Sequence, residues 1–324
     1  MEGRDLKIVF LGTPEFAVES LRALVEGGYR IVAVVTTPDK PAGRGQRMHE
    51  SDVKRYAQEV GLPVLQPEKL RDEAFLAQLR TLEPDLGIVI AFRMLPEVVW
   101  GMPRLGTFNL HASLLPEYRG AAPINRAIMN GETETGVTTF LLNSEIDQGD
   151  IIGQTKIPIR LEDNAGTIHD KLMIEGSRLV IDTVERIARG NWTPIRQQHI
   201  PAQSLKPAPK IFRDDCRIDW NTPGERIVNL VRGLAPYPGA WTDCVDASGQ
   251  ENGTYKIFDV RFTPSSVTVP AGTLRTDGRT LLEAACADGW IALQELQPAG
   301  KRRMKVSELL CGWKEADKYR FTSK

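Results

Sequence analysis

The sequence predicts two domains of different class, an α/β domain with a mostly parallel sheet followed by a smaller β-barrel. The chain of 324 residues is longer than one typical domain. Its first half alternates short apolar runs with amphipathic segments, which is typical of strand–helix–strand units wound in Rossmann style. Its second half has several short runs of β character separated by turn residues, which indicates a small barrel.

Local patterns justify each element of the first domain. The apolar runs predict strands at Lys7–Leu11, Ile31–Val35, Pro63–Leu65, Leu86–Ala91, Gly106–His111, Gly136–Leu142 and Ile151–Ile159. Apolar residues at helical spacing predict helices at residues 14–25, 51–60, 72–82, 123–130 and 164–190. We expect Thr13 to cap the first helix, with Pro14 at its first position, and Ser51 to cap the second.

The second domain is predicted to begin after a proline-rich linker. We place the first domain at residues 1–190, the linker at 191–210, where four prolines occur, and the second domain at 211–324. Its strands are predicted at Tyr255–Phe262, Gly272–Arg275, Thr280–Cys286 and Trp290–Leu296, between helices at Gly224–Leu234 and Val306–Gly312.

Composition narrows the possible classes of protein. The N-terminal apolar run Ile8–Leu11 is too short for a signal peptide or a membrane span. The four cysteines show no CxxC spacing and no neighbouring histidines, so we expect free thiols in a reducing cytoplasm and no metal site. Net charge is −1, but residues 201–324 hold 18 Lys and Arg against 15 Asp and Glu, a net of +3. This weak basic excess is compatible with a polyanion without indicating a dedicated nucleic-acid binder.

Polar side chains end one of the predicted strands. Asn109 and His111 lie two residues apart, so they share one face of the strand at a separation of about 6.6 Å. A loop punctuated by Pro116 and Gly120 follows, and α/β proteins place their chemistry at such strand ends. Taken alone, the pair could equally hold the loop by hydrogen bonding. The first strand is followed by neither GxGxxG nor a P-loop, so no nucleotide cofactor is expected there.

A longer pattern around this strand resembles a known family. The pattern is Asn109-x-His111-x-Ser113-Leu114-Leu115-Pro116, then Tyr118-Arg119-Gly120, then Asp147 in an acidic turn. It is similar to the 10-formyltetrahydrofolate-dependent formyltransferases, and the resemblance covers Lys7 to Trp313. Within that superfamily the chain resembles the members that formylate the α-amino group of methionine on initiator tRNA, in support of translation initiation.

The resemblance implies a role for each residue of the pattern. Asn109, His111 and Asp147 would be catalytic, although composition alone would make Asp147 a turn residue. The residues expected to bind 10-formyltetrahydrofolate, the formyl donor, are Ser113, Leu114, Leu115, Pro116, Ile90 and Phe92. No metal is implied. The chain departs from the family pattern at Ala91-Phe92-Arg93-Met94, where Ala-Tyr-Gly is usual, and at Gln148, where Thr is usual.

Two basic segments are candidates for tRNA contact. The loop between Thr36 and Ser51 contains Lys40, Arg44 and Arg47, and loops of this length are usually functional or disordered. The resemblance implies that this loop enters the acceptor stem, with Arg44 as its main reader, and that the second domain is OB-like. Lys301, Arg302 and Arg303 form the densest basic run of that domain. Either segment could instead be an ordinary solvated surface.

Alternative functions stay open at this point. The chain could be another 10-formyltetrahydrofolate enzyme, either a sugar-nucleotide amine formyltransferase or a formyltetrahydrofolate hydrolase. A non-catalytic tRNA- or folate-binding protein is a further alternative, although binding alone needs no proton donor. We expect a monomer with no membrane partner.

Overall fold

The computed structural model describes residues 2–42, 47–197, 205–313 and 315–323. They form two compact units. The N-terminal unit comprises Met1–Gly120, Glu134–Ile157 and His169–Pro207, and the barrel unit comprises Ala121–Thr133, Pro158–Ile168 and Ala208–Lys324. None of the helices formed by the described residues is both long and apolar enough to span a bilayer.

A seven-stranded sheet organises the N-terminal unit. Strands β1 to β9 are Ile8–Gly12, Ile31–Val35, Lys40–Ala42, Arg47–His49, Val64–Leu65, Leu86–Ile90, Thr107–His111, Glu134–Leu141 and Ile151–Pro158. The sheet order is β5-β2-β1-β6-β7-β8-β9. The first five strands in this order, β5, β2, β1, β6 and β7, run parallel, and β8 runs antiparallel to β7. The predicted Rossmann-like, mostly parallel sheet is therefore confirmed.

Helices α1 to α6 are Glu15–Glu26, Asp52–Glu59, Glu73–Thr81, Glu97–Trp100, Pro123–Met129 and Ala165–Arg189. The predicted cap at Ser51 is confirmed, since its hydroxyl accepts the Lys54 N–H at 3.1 Å. The predicted cap at Thr13 is wrong. Extended Pro14 takes the cap position and makes no side-chain cap bond, so the helix begins one residue later than expected.

The basic loop has more structure than its composition indicates. Strands β3 and β4 pair antiparallel as a small hairpin, with Lys40 opposite His49. Lys54 joins the two ends of this hairpin, because its ammonium nitrogen lies 2.5 Å from Asp39 and 2.7 Å from Glu50. Arg44, the expected reader of tRNA, lies outside the described residues.

Close packing sets strand β7 against β6. A Cβ on Gly87 would lie 2.3 Å from the Thr107 hydroxyl, so a larger residue would push the two strands apart. The Thr107 hydroxyl in turn donates to the Trp100 carbonyl at 2.7 Å, which holds α4 beside the start of β7. The start of strand β7 is therefore fixed against both β6 and α4.

The barrel unit contains a second sheet, which is antiparallel. Strands β10 to β16 are Ala240–Asp246, Glu251–Pro264, Leu274–Thr276, Leu282–Cys286, Gly289–Pro298, Met304–Lys305 and Tyr319–Phe321, and helices α7 and α8 are Gly224–Leu234 and Val306–Gly312. The order β12-β13-β14-β11-β10-β16, with a bridge between Thr273 and Arg320, makes a nearly closed barrel. Trp220 fills its core and stacks on Phe321 at 5.3 Å between ring centroids. The predicted small, OB-like barrel is confirmed.

Candidate active site

Strand β7 carries two of the three predicted catalytic residues. Asn109 pairs with Val89 of β6 on one side and with Phe140 of β8 on the other, and His111 ends the strand opposite Thr138. A strand hydrogen-bonded on both sides cannot rotate, so alternation keeps Asn109 and His111 on a common face. His111 is buried, and Asn109 is half-buried.

A backbone carbonyl fixes the tautomer of His111. The Nε2 atom lies 2.8 Å from the carbonyl oxygen of Tyr118. A carbonyl can only accept, so Nε2 is the donor, and in the neutral ring Nδ1 is the basic nitrogen. Tyr118 adopts a left-handed backbone conformation with φ of 59° and donates its N–H to Lys206 at 2.7 Å. The loop after β7 therefore decides which nitrogen of His111 is free to exchange a proton.

Asp147 lies beside that free nitrogen. Its Oδ2 atom is 3.9 Å from His111 Nδ1 and accepts the Gly120 N–H at 2.9 Å. The Asp147 side chain is 13% exposed and the His111 side chain 8% exposed, so little water screens the interaction between them. The structure thus brings together all three predicted residues, although Asp147 is 36 positions beyond His111 in the sequence.

The amide of Asn109 has an unused end. Its Oδ1 atom is buried, and no described residue forms a hydrogen bond with it. Buried polar atoms are nearly always satisfied, so an orphan beside a histidine indicates a place for a ligand. Because the two ends of an amide have the same shape, the side chain can turn its N–H₂ to this position. The residues present therefore fit a ligand that offers a carbonyl oxygen.

The residues expected to line a folate site form a loop held from within. Ser113 is fully buried and its hydroxyl donates to the Glu117 carbonyl at 2.7 Å, so Ser113 shapes the loop. Leu115 is buried against Phe140 and Ile151. The remaining two residues of the loop set, Leu114 and Pro116, are half-buried.

Two polar residues that hold this loop were not predicted. The buried Thr138 hydroxyl donates to the Ser113 carbonyl at 2.6 Å and accepts the Leu115 N–H at 3.2 Å. Gln154 donates to the Leu115 carbonyl at 2.8 Å and to Thr138 at 3.0 Å. Both lie on neighbouring strands, and nothing local in the sequence marks them.

The departure from the family pattern after β6 has a structural account. Ile90 is fully buried at the end of β6, where it pairs with Gly12 of β1 and Leu110 of β7, whereas Phe92 is half-buried. The Arg93 guanidinium donates to the carbonyls of Pro67 and Glu68 and lies 5.7 Å from the Phe92 ring. Arg93 therefore ties this turn to the segment after β5.

The residues expected to bind tRNA differ in availability. Lys40 is exposed on β3, and Arg47 lies in β4. In the barrel unit Arg302 pairs with Glu308, and Arg303 pairs with Glu295 at 2.5 Å while lying 4.3 Å from the Phe258 ring. Lys301 is exposed, and no carboxylate among the described side chains pairs with it. The basic run therefore offers less free positive charge than its sequence indicates.

The cysteines are free thiols. Cys311 is exposed, and Cys216, Cys244 and Cys286 are buried. Burial raises the pKa of the Cys244 thiol to about 12. In the described ranges, no group of three or more His, Cys, Asp or Glu side chains is arranged to hold a metal ion.

Comparisons with known proteins identify the family of the chain. Residues 6–184 match the family described as Formyl transferase, and residues 210–314 match Formyl transferase, C-terminal domain. The methionyl-tRNA formyltransferase of Bacteroides thetaiotaomicron is 54% identical over 99% of this chain and 99% of that protein. The methionyl-tRNA formyltransferase of Parabacteroides distasonis is 55% identical over 98% and 99%.

Solved structures share the fold at lower identity. An N-formyltransferase from Helicobacter canadensis, in complex with folinic acid and dTDP-3-aminofucose, has a TM-score of 0.63 at 20% identity, over 89% of this chain and 99% of that chain. HypX from Aquifex aeolicus, in complex with tetrahydrofolic acid, has a TM-score of 0.60 at 20% identity, over 94% and 47%. The family matches and the close relatives together show that the chain belongs to the formyl transferase family, among the methionyl-tRNA formyltransferases.

Proposed function

We propose that this chain transfers a formyl group from 10-formyltetrahydrofolate to the α-amino group of methionine carried by initiator tRNA, and so supports translation initiation. One observation carries the proposal. His111 keeps Nδ1 free beside Asp147 and next to the orphan amide of Asn109. The acceptor, methionyl-tRNA, is taken from the names of the relatives that are 54% and 55% identical over nearly the whole chain.

The site has to stabilise charge and move one proton. When bound, 10-formyltetrahydrofolate supplies an electrophilic formyl carbon and a leaving nitrogen, N10. A free α-amine has a pKa of about 7.7–8.0, and the neighbouring ester lowers it, so the site needs no strong base. Asn109 donates its amide N–H to the formyl oxygen as negative charge develops there.

His111 carries the proton. Because Tyr118 occupies Nε2, the proton passes through Nδ1, which takes it from the attacking amine and returns it to N10. Asp147 stabilises the imidazolium that exists between these two events. The amine loses one proton and N10 gains one, so His111 ends in its starting state.

Substrate binding is divided along the chain. The loop from Ser113 to Pro116, the Phe92 ring and the backbone of Ile90 would hold the folate. Lys40, Arg44 and Arg47 would contact the acceptor end of tRNA, and Lys301, Arg302 and Arg303 would contact tRNA phosphates. In this division residues 1–190 carry catalysis, 191–210 link, and 211–324 bind tRNA. One copy holds every proposed catalytic residue, so catalysis would not need a second copy, and we propose a monomer in the cytoplasm.

The test is formylation by the purified protein. We expect tetrahydrofolate release that depends on methionyl-initiator tRNA, and a loss in kcat of roughly 10²-fold or more in Asn109→Ala and in His111→Ala. His169→Ala is the matched control, since His169 lies on α6 and packs against Phe16 of α1, with ring centroids 5.2 Å apart. It should keep the wild-type kcat.

Three outcomes contradict the proposal. Transfer to an amino-sugar nucleotide but not to tRNA would assign a sugar formyltransferase. Release of formate without an acceptor would assign a hydrolase. Binding of both substrates without turnover would assign a non-catalytic protein.

A further inference from the structure

We infer from the structure that Gln197 is a positioning residue, which holds Asp147 in place beside His111. The inference rests on the proposed function and adds to it a residue outside the family pattern. Gln197 lies after α6, in the segment that the sequence predicts as a linker, and it is half-buried.

The amide nitrogen of Gln197 clamps the turn that carries Asp147. Its Nε2 atom donates to the Asp147 carbonyl at 2.9 Å and to the Gly149 carbonyl at 2.9 Å. A primary amide has two N–H bonds, and both are used here. The clamp therefore fixes the turn on both sides of Gln148.

The amide oxygen of Gln197 ties this turn to the loop after β7. Its Oε1 atom accepts from Arg119 Nε at 3.1 Å and from Arg119 Nη2 at 2.6 Å. The next residue, Gly120, donates its N–H to Asp147 Oδ2 at 2.9 Å. Burial lowers the pKa of Arg119, and the carboxylates of Asp147 and Glu145 oppose that shift. Gln197 thus connects the two loops that supply Asp147 and the Tyr118 carbonyl.

The turn needs such a clamp because its backbone is strained. Asp147 has φ of 54°, in the left-handed region that non-glycine residues seldom adopt. A Cβ on Gly149 would lie 1.6 Å from the Leu141 carbonyl oxygen, so the chain also passes very close to β8. Strained residues persist only where surrounding contacts hold them. Without Gln197 the turn can relax, and the distance of 3.9 Å between Asp147 and His111 changes.

An isosteric substitution separates hydrogen bonding from shape. Gln197→Glu keeps the size of the side chain and an oxygen for Arg119, but it removes both N–H donors. A carboxylate would then face the carbonyl oxygens of Asp147 and Gly149, which repel it. We expect Gln197→Glu to lower kcat as much as Gln197→Ala.

A double-mutant cycle tests the inference. Kcat and KM for both substrates are measured in Gln197→Ala, Gln197→Glu, Asp147→Asn and the double variant Gln197→Ala/Asp147→Asn. A displacement of 1 Å can cost about 10²-fold, so we expect each Gln197 variant to lose roughly 10- to 100-fold in kcat. KM for 10-formyltetrahydrofolate should stay within a few-fold of wild type. In the Asp147→Asn background, Gln197→Ala should have almost no further effect on kcat, because residues that act as one unit are not additive.

A control variant and two contrary outcomes complete this test. Gln78→Ala, an exposed glutamine on α3, should leave kcat unchanged, and thermal unfolding of every variant reports any general loss of stability. A full, additive loss from Gln197→Ala in the Asp147→Asn background would overturn the inference, as would wild-type kcat in Gln197→Glu. Either result leaves formylation by the wild-type protein intact, whereas an inactive wild type overturns the proposed function as well.

Discussion

Replacing Thr138 by valine tests whether strand β8 holds the loop that shapes the proposed folate site. Thr138 is fully buried, and its hydroxyl binds the Ser113 carbonyl, the Leu115 N–H and the Gln154 amide. Valine has nearly the same shape and no hydroxyl. The substitution therefore removes hydrogen bonds without creating a cavity.

The expected magnitude follows from what is left unpaired. Gln154 keeps its bond to the Leu115 carbonyl at 2.8 Å, and because this residue is exposed, water can replace Thr138 as the partner of its second N–H. The Ser113 carbonyl and the Leu115 N–H each lose a partner in the interior. An unsatisfied buried group costs about 1–3 kcal/mol, so we expect the free energy of unfolding to fall by roughly 2–6 kcal/mol.

The assay is urea unfolding followed by circular dichroism, together with titration of 10-formyltetrahydrofolate into the folded protein. Thr135→Val is the matched control, because Thr135 is buried on the same strand and takes no part in the hydrogen bonds that hold the loop. It should change the free energy of unfolding by less than about 1 kcal/mol. If Thr138→Val costs no more than this control and binds folate as tightly as wild type, Thr138 does not hold the loop.

Three further predictions concern other parts of the molecule. Arg44→Ala should raise KM for methionyl-tRNA far more than it weakens folate binding, and an equal loss of folate affinity on titration would make the loop part of the folate cleft. Lys54→Met removes the ammonium group that joins both ends of the β3–β4 hairpin, so KM for methionyl-tRNA should rise while kcat at saturating tRNA stays unchanged. Steady-state kinetics measure both constants, with Lys54→Arg as the conservative control, and an unchanged KM contradicts the prediction. In the native protein, Ellman's reagent should label Cys311 quickly and the other three cysteines slowly, because burial raises the pKa of those thiols; a second fast thiol contradicts this.

Local patterns in the sequence determined most of the secondary structure. Apolar runs and caps depend on neighbouring residues, so the helices Gly224–Leu234 and Val306–Gly312 and the strand Ile31–Val35 have the predicted bounds. The four-residue helix Glu97–Trp100 is too short to show a period. The strand Ala240–Asp246 was missed because polar residues interrupt its apolar pattern.

The candidate site likewise follows partly from the amino-acid sequence and partly from the fold. Strand alternation places Asn109 and His111 on one face, and the family pattern names Asp147, so all three candidate catalytic side chains follow from the amino-acid sequence. Two contacts are visible only in the folded chain: the Tyr118 carbonyl fixes the imidazole tautomer, and Gln197 clamps the turn of Asp147 from 50 positions away. The physical reason is that a hydrogen bond depends on distance and angle in space. Partners brought together by the winding of a sheet leave no periodic signal along the chain.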